Sequence, residues 1–186
     1  MNGQPSKRLF IAIDIPAVHR KLLAELQEPV RGVSWTSPEQ FHLTLRFLGD
    51  TNSDDQRDIT RRFNAVQVEP FILPLEDLGV FPTRGLPRTI WVGVGHGHPR
   101  LFQLRQQIDD FLLASGIAID LRTFVAHITL GRCTRAKPGP VNATIRKHRN
   151  FQGPPFRVDR FSLYSSQLEA DGAIHTVEKT FPLRDA

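Results

Sequence analysis

The chain reads as an α+β protein built from two similar lobes. Two observations predict this. The order strand–helix–strand occurs twice, over about residues 8–49 and again over about 89–132. Both occurrences end in the same motif, His-x-Thr-Leu: His42-Leu43-Thr44-Leu45 and His127-Ile128-Thr129-Leu130. Each motif lies in a run that reads as a β-strand, where residues i and i+2 share a face. His42 and Thr44 therefore point one way, and Phe41, Leu43, Leu45 and Phe47 the other. In the second copy His127 and Thr129 share a face, while Phe124, Ala126, Ile128 and Leu130 form the apolar one. Recurrence of a unit at a fixed place in the chain implies lobes related by a pseudo-twofold axis.

The elements follow in order. Arg8 to Ile13 reads as a buried strand. Pro16 can start a helix. Val18, Leu22, Leu23, Leu26 and Val30 continue at helical spacing until Pro29 and Gly32. The first His-x-Thr strand closes at Gly49-Asp50. Asp54 to Val66 reads as a helix with Ile59, Phe63 and Val66 on one stripe. Pro70 to Val80 and Arg88 to Val94 read as strands around a loop, Phe81 to Pro87, that carries Arg84. Arg100 to Ser115 is a helix with Leu101, Leu104, Ile108, Phe111 and Leu112 on one side and Gly116 as its stop. A helix is expected near Val141 to His148. Phe156 to Leu168 and Ile174 to Phe181 alternate like strands, joined through Asp171-Gly172, a hairpin signal.

Bulk properties narrow the function. At 186 residues the chain is long enough for one domain, here residues 1–186 in two lobes. The net charge of +5 fits an anionic ligand, nucleic acid included. One cysteine, Cys133, excludes an intrachain disulfide and a cysteine metal cluster. No secretory signal and no run of roughly 20 apolar residues is present, so a cytoplasmic protein without a membrane segment is expected. From Arg132 to Arg160 eight Lys/Arg face a single acid, Asp159. That stretch is either a solvated basic face or a phosphate-backbone track in which Arg146, Lys147 and Arg149 take part.

The two histidines carry the chemistry. Imidazole titrates near neutrality, so one His can act as base while another acts as acid. Held across a cleft, the pair could deprotonate an attacking water and protonate a departing oxygen on one phosphodiester. Thr44 and Thr129 are placed to donate to the phosphoryl oxygens. Arg46 shares the His42 face by alternation. Arg132 does not share the His127 face unless a bulge at Gly131 reorients it. Alternation alone leaves open which His is the acid. A metal site is disfavoured because two His supply two ligands where a catalytic zinc usually has three; His96 and His98 read as loop residues. His19, His148 and His175 have no motif around them. No G-x-S-x-G elbow, P-loop or G-x-G-x-x-G is present.

Four stretches carry a resemblance: Arg8 to Ile13, Phe41 to Gly49, Pro87 to Val94, and Thr123 to Arg132, with Phe161 to Leu168 as a further match. In these the chain resembles the 2H phosphoesterase superfamily, specifically the RNA 2′,3′-cyclic phosphodiesterase family, also called 2′-5′ RNA ligase. Ala126 departs from the proline often found before the second His. The resemblance implies a bilobal α+β fold, with two mainly antiparallel sheets lining a central cleft and helices outside. It implies hydrolysis of RNA 2′,3′-cyclic phosphate ends, or of cyclic nucleotides, to 2′-phosphomonoesters with no metal or other cofactor. It assigns His42 as proton donor, His127 as proton acceptor, and Thr44, Thr129 and Arg132 as phosphate contacts. It also brings possible 2′-5′ ligase activity. A monomer is expected, since two lobes in one chain need no partner. The alternative is a non-catalytic module that binds RNA ends in the same basic cleft.

Overall fold

The computed structural model describes residues 6–119, 123–169 and 172–184. Their strands are β1 (Ser6–Asp14), β2 (Val33–Trp35), β3 (His42–Asn52), β4 (Phe71–Phe81), β5 (Thr89–Val94), β6 (His127–Cys133), β7 (Gln152–Val158), β8 (Arg160–Glu169) and β9 (Gly172–Pro182). The helices are α1 (Ala17–Ala24), α2 (Ser53–Phe63), α3 (Pro99–Ala114) and α4 (Pro138–His148). The α+β class is as expected, and both strand–helix–strand units are present. In one, β1 and β3 pair antiparallel around α1; in the other, β5 and β6 pair antiparallel around α3.

The strands join in the order β7-β4-β5-β6-β3-β1-β8-β9, with β2 added to β6. The two halves of this sheet meet between β3 and β6 at one residue pair, Leu43 with Ile128. Both side chains are fully buried. The expected pair of sheets is therefore one curled antiparallel surface, hinged where the two motifs touch.

One core cluster runs through both halves. It takes Leu9, Ile11 and Ile13 from β1, Leu43 and Leu45 from β3, Leu73 and Leu75 from β4, and Leu101, Leu104, Ile108 and Leu112 from α3. β1 is buried on both faces, because Phe10 and Ala12 pack with Tyr164 in a second small cluster on the opposite side. α2 starts on Asn52, whose side chain accepts from the Asp54 and Asp55 amides at 2.9 Å each. That cap satisfies amide donors left free at a helix start.

Several boundaries differ from expectation for physical reasons. Val18 is 73% exposed, so the packed stripe of α1 rests on Leu22 and Leu23, and Val30 lies beyond the helix. β6 begins at His127, although the Ala126 carbonyl just before it already accepts from the Val94 amide at 3.2 Å. The alternating run from Phe156 divides into β7 and β8 at Asp159. The pairing of Glu169 with Gly172 supports the expected hairpin, while Asp171 lies outside the described residues. β2 was not foreseen: three residues carry too short a pattern to recognise.

The largest departure is Arg46. In the β1–β3 ladder Ile11 pairs with Arg46 and Ala12 with Thr44, which leaves Leu45 as an extra residue. Such a bulge breaks strict alternation. Leu45 and Arg46 both turn inward, at 2% and 5% exposure. Arg46 thus leaves the His42 face and reaches α3. Its Nε donates to Asp109 Oδ1 at 2.8 Å and its Nη2 to Oδ2 at 2.5 Å. The bidentate geometry suits a buried guanidinium–carboxylate pair, and it ties one half of the sheet to the helix of the other. Removing one partner strands a buried charge. Arg46→Met should lower the unfolding free energy by about 3 kcal/mol. Urea denaturation of the variant gives the value, and a loss below ~0.5 kcal/mol would show that the tie is dispensable.

Candidate active site

The pair Leu43–Ile128 determines what faces what. An antiparallel register continued one residue either way sets Thr44 beside His127, and His42 beside Thr129. All four side chains are half-buried and lie on the face opposite the buried Leu43 and Ile128. Each histidine thus has a threonine from the other motif as its neighbour across the seam. The predicted quartet His42, Thr44, His127 and Thr129 is brought together.

The two imidazoles are held in the same way. His42 Nδ1 lies 2.7 Å from the Gln40 carbonyl, and His127 Nδ1 lies 2.7 Å from the Val125 carbonyl. A carbonyl only accepts, so each Nδ1 carries the hydrogen and donates it. Each Nε2 is left to take up or deliver a proton. Aromatic rings fix the planes. Phe10 lies 5.0 Å from His42, with Tyr164 behind it at 6.3 Å. On the other side Phe81 meets His127 edge-on at 5.0 Å, and Trp91 follows at 6.2 Å. Trp91 can lie there because Gly79 has no side chain; a Cβ at Gly79 would sit 2.2 Å from the indole.

The bulge of β3 recurs in β6. Ile90 pairs with Gly131 and Trp91 with Thr129, leaving Leu130 as the extra residue. The leucine of His-x-Thr-Leu is the bulged residue in both motifs. After it the alternation is reversed: Leu130 and Gly131 are buried, and Arg132 returns to the His127 face as an exposed side chain. Gly131 fits because Trp35 lies over it, 2.7 Å from where a Cβ would stand. The same reversal exposes Phe47, at 64%, on the His42 face. Phe47 is thus the counterpart of Arg132. It was expected in the core, because strict alternation places it there.

Three further residues, Asp14, Tyr164 and His175, border His42. A cavity of about 130 Å³ beside His42 is lined by Asp14, Arg20, Gln40, Tyr164 and His175 among others. Asp14 sits at the end of β1 on the face of Phe10 and Ala12. Its carboxylate accepts hydrogen bonds from the Tyr164 and Ser162 hydroxyls, the latter at 3.1 Å. His175 meets His42 edge-on at 5.2 Å and Phe10 at 4.9 Å. It reaches His42 from β9 by packing against Phe10, a contact no local pattern encodes. Alternation along β1 could have found Asp14.

Burial and charge set the protonation of the pair. Burial pushes His42 down to about 4, against the Gln40 carbonyl that favours its charged form. Nearby His175 and His127 lower it further, while the Asp14 carboxylate raises it. Burial also lowers His127, and the Arg132 guanidinium adds to this. The same guanidinium depresses His175, behind burial. Burial first, then Asp14, holds the Tyr164 hydroxyl well above its ordinary value. Among the described residues no three of His, Cys, Asp and Glu gather as a metal-holding group, and no helix is long and apolar enough to cross a membrane.

A depressed folded-state value means that the unfolded chain binds the proton more readily. Stability is then complete above about pH 6.5 and declines as the pH falls toward the folded value of about 4. His42→Gln should flatten that decline. Urea unfolding at pH 7 and pH 4.5 tests it: an equal loss in both proteins would remove His42 as the source.

A family model described as "LigT like Phosphoesterase" matches residues 13–91 and again residues 92–175. The RNA 2′,3′-cyclic phosphodiesterase of Archaeoglobus fulgidus is 33% identical over 177 residues, covering 94% of this chain and 99% of the relative. The protein of the same name from Thermus thermophilus is 33% identical over 188 residues, covering 95% and 90%. Among solved structures, Escherichia coli LigT complexed with 3′-AMP superposes with a TM-score of 0.77 at 26% identity, covering 96% of this chain and 99% of that one.

Proposed function

Because the chain belongs to the LigT-like phosphoesterase family, we propose that it is an RNA 2′,3′-cyclic phosphodiesterase working through His42 and His127. The observation that carries this reading is the matched pair of imidazoles. Each has Nδ1 engaged by a carbonyl two residues upstream and Nε2 free, and each stands across the seam from a threonine. Such a pair can transfer two protons on one phosphodiester. The relatives' names supply the substrate, a 2′,3′-cyclic phosphate at an RNA end. A cyclic mononucleotide presents the same reacting group.

Hydrolysis proceeds with water adding to phosphorus as the bond from phosphorus to O3′ breaks. His127 Nε2 takes the water's proton, and His42 Nε2–H gives its proton to O3′. The product is a 2′-phosphomonoester with a free 3′-hydroxyl. The charged neighbours support this division of roles. Asp14 favours the protonated form of His42, against burial and His175, and Arg132 favours the neutral form of His127. Thr44 and Thr129 donate to the phosphoryl oxygens, and Arg132 offsets their charge. A 5′-hydroxyl in place of water would give a 2′-5′ linkage through the same transfers, which is the ligase reaction. Phe47 offers an exposed ring on the same face for a base to stack on. Residues 1–186 act as one two-lobed catalytic domain, as a monomer. The two family matches and the recurrence of the β1–α1–β3 arrangement in β5–α3–β6 support that division.

Wild-type protein should hydrolyse a 2′,3′-cyclic nucleotide in excess EDTA and release the 2′-phosphate. His42→Ala and His127→Ala should each lose about 10²–10⁴-fold in kcat. Full activity in either variant, or activity that EDTA abolishes and a divalent metal restores, would refute the two-histidine mechanism.

Both imidazoles are depressed, so the bell of kcat/KM should centre below pH 6.5. A bound phosphodiester anion favours protonated imidazole, and the bell of kcat should lie at higher pH. Initial rates from pH 4 to 9 at low and saturating substrate separate the two. A kcat/KM optimum above pH 7.5 would contradict the buried, neutral pair.

A further inference from the structure

Some cations of this protein have a carboxylate beside them. Lys7 pairs with Glu178, Arg46 with Asp109, Arg57 with Asp54, Arg61 and Arg62 with Asp58, Arg100 with Glu69, and Lys147 with Glu28. Others have none, and five of these are gathered in one region. Arg31, Arg84, Arg88, Arg132 and Arg135 are all exposed, and among the described residues none has a carboxylate partner.

These five come from separate stretches of chain that the sheet gathers at one end. Arg132 pairs in register with Ser34 of β2 on one side and Thr89 of β5 on the other. Arg88 precedes Thr89, and its carbonyl accepts from the Cys133 amide at 2.8 Å. The Arg88 amide donates to the Phe81 carbonyl at 2.7 Å, closing the loop that holds Arg84. The Gly32 carbonyl accepts from Thr134 at 2.9 Å and Arg135 at 3.3 Å, which brings Arg31 and Arg135 together. Gly32 must be glycine here: its φ is +84°, and a Cβ would meet the Arg135–Ala136 backbone at 2.5 Å. The close approach of the two chain segments is therefore built in.

The patch adjoins the catalytic seam. Arg132 lies five positions after His127 along β6, roughly 16 Å of strand. Arg132 belongs to both, since its charge acts on His127 and on His175 across the cleft. Trp91 and Phe81 border the same route with aromatic rings. Unneutralised guanidinium groups beside aromatic surface suit a single-stranded polyanion with stackable bases. α4 is less suited. It packs on β4, and Lys147 and His148 at its end are engaged by Glu28, which among the described residues leaves only Arg146 and Arg149 there without a carboxylate.

We propose that the RNA strand upstream of the terminal cyclic phosphate leaves the seam past Arg132 and lies on the rim formed by Arg31, Arg84, Arg88 and Arg135. This rests on the phosphodiesterase reading above, and adds the path and polarity of the polymer. The basic stretch near Arg146 and Arg149 is then a solvated face.

The experiment compares two substrates, a 2′,3′-cyclic mononucleotide and a roughly six-nucleotide RNA with the same end, and measures binding of that RNA by fluorescence anisotropy against salt. In the Arg31→Ala/Arg88→Ala/Arg135→Ala variant, kcat/KM on the RNA should fall on the order of tenfold. Its salt slope should shrink by about 2, three contacts at roughly 0.7 each. Mononucleotide hydrolysis should change by less than about twofold, which also reports that the variant is folded. Arg146→Ala/Arg149→Ala should alter neither. An unchanged RNA rate and slope in the triple variant, or the loss appearing in the α4 variant instead, would overturn the proposal. If wild type binds RNA without hydrolysing either substrate, the enzymatic reading fails, while the salt slopes still decide the path.

Discussion

One pair of apolar residues holds the site together. Leu43 and Ile128 are the only ladder partners found between β3 and β6 among the described residues, and neither touches solvent. The pair fixes the register of two strands that otherwise diverge into separate halves. A one-residue slip at this point would turn a motif's His and Thr to the opposite face. The geometry of the chemistry is thus set by packing. Arg46 and Asp109 reinforce it by crossing from β3 to α3.

Much of this was legible in the amino-acid order. The doubled His-x-Thr, its alternation, the packed stripe of α3 and the class of fold all come from local periodicity, which sequence records directly. Arg46, Phe47 and Arg132 are different. Their direction depends on bulges at Leu45 and Leu130, and a bulge is a property of two paired strands. A residue read by strict alternation beyond a bulge is assigned to the wrong face. That reversed Arg46 and Phe47, and left Arg132 dependent on a reorientation that the register now accounts for. His175 was silent for another reason. Its contact with His42 spans two intervening strands and is made beside Phe10.

The electrostatics follow from the same architecture. Phe10, Tyr164, Phe81 and Trp91 take up the space around the imidazoles, and this desolvation favours their neutral forms. Against that common background the two sides differ in their charged neighbour, a carboxylate near His42 and a guanidinium near His127. Both imidazoles are nevertheless lowered, because burial is the largest influence on each.

The shared bulge carries a consequence for direction. A scaffold with twofold likeness has no head or tail: His faces Thr in either sense, so a phosphodiester could enter both ways round. In each half the bulge lifts one residue out of the core onto the reactive face. It lifts a phenyl ring in one half and a guanidinium in the other. An apolar ring cannot hold a phosphate, and a guanidinium bound to phosphate is poorly placed to hold a base. Phe47 and Arg132 thus make the two halves unlike at equivalent points, in addition to Asp14, Tyr164 and His175 on the His42 side alone.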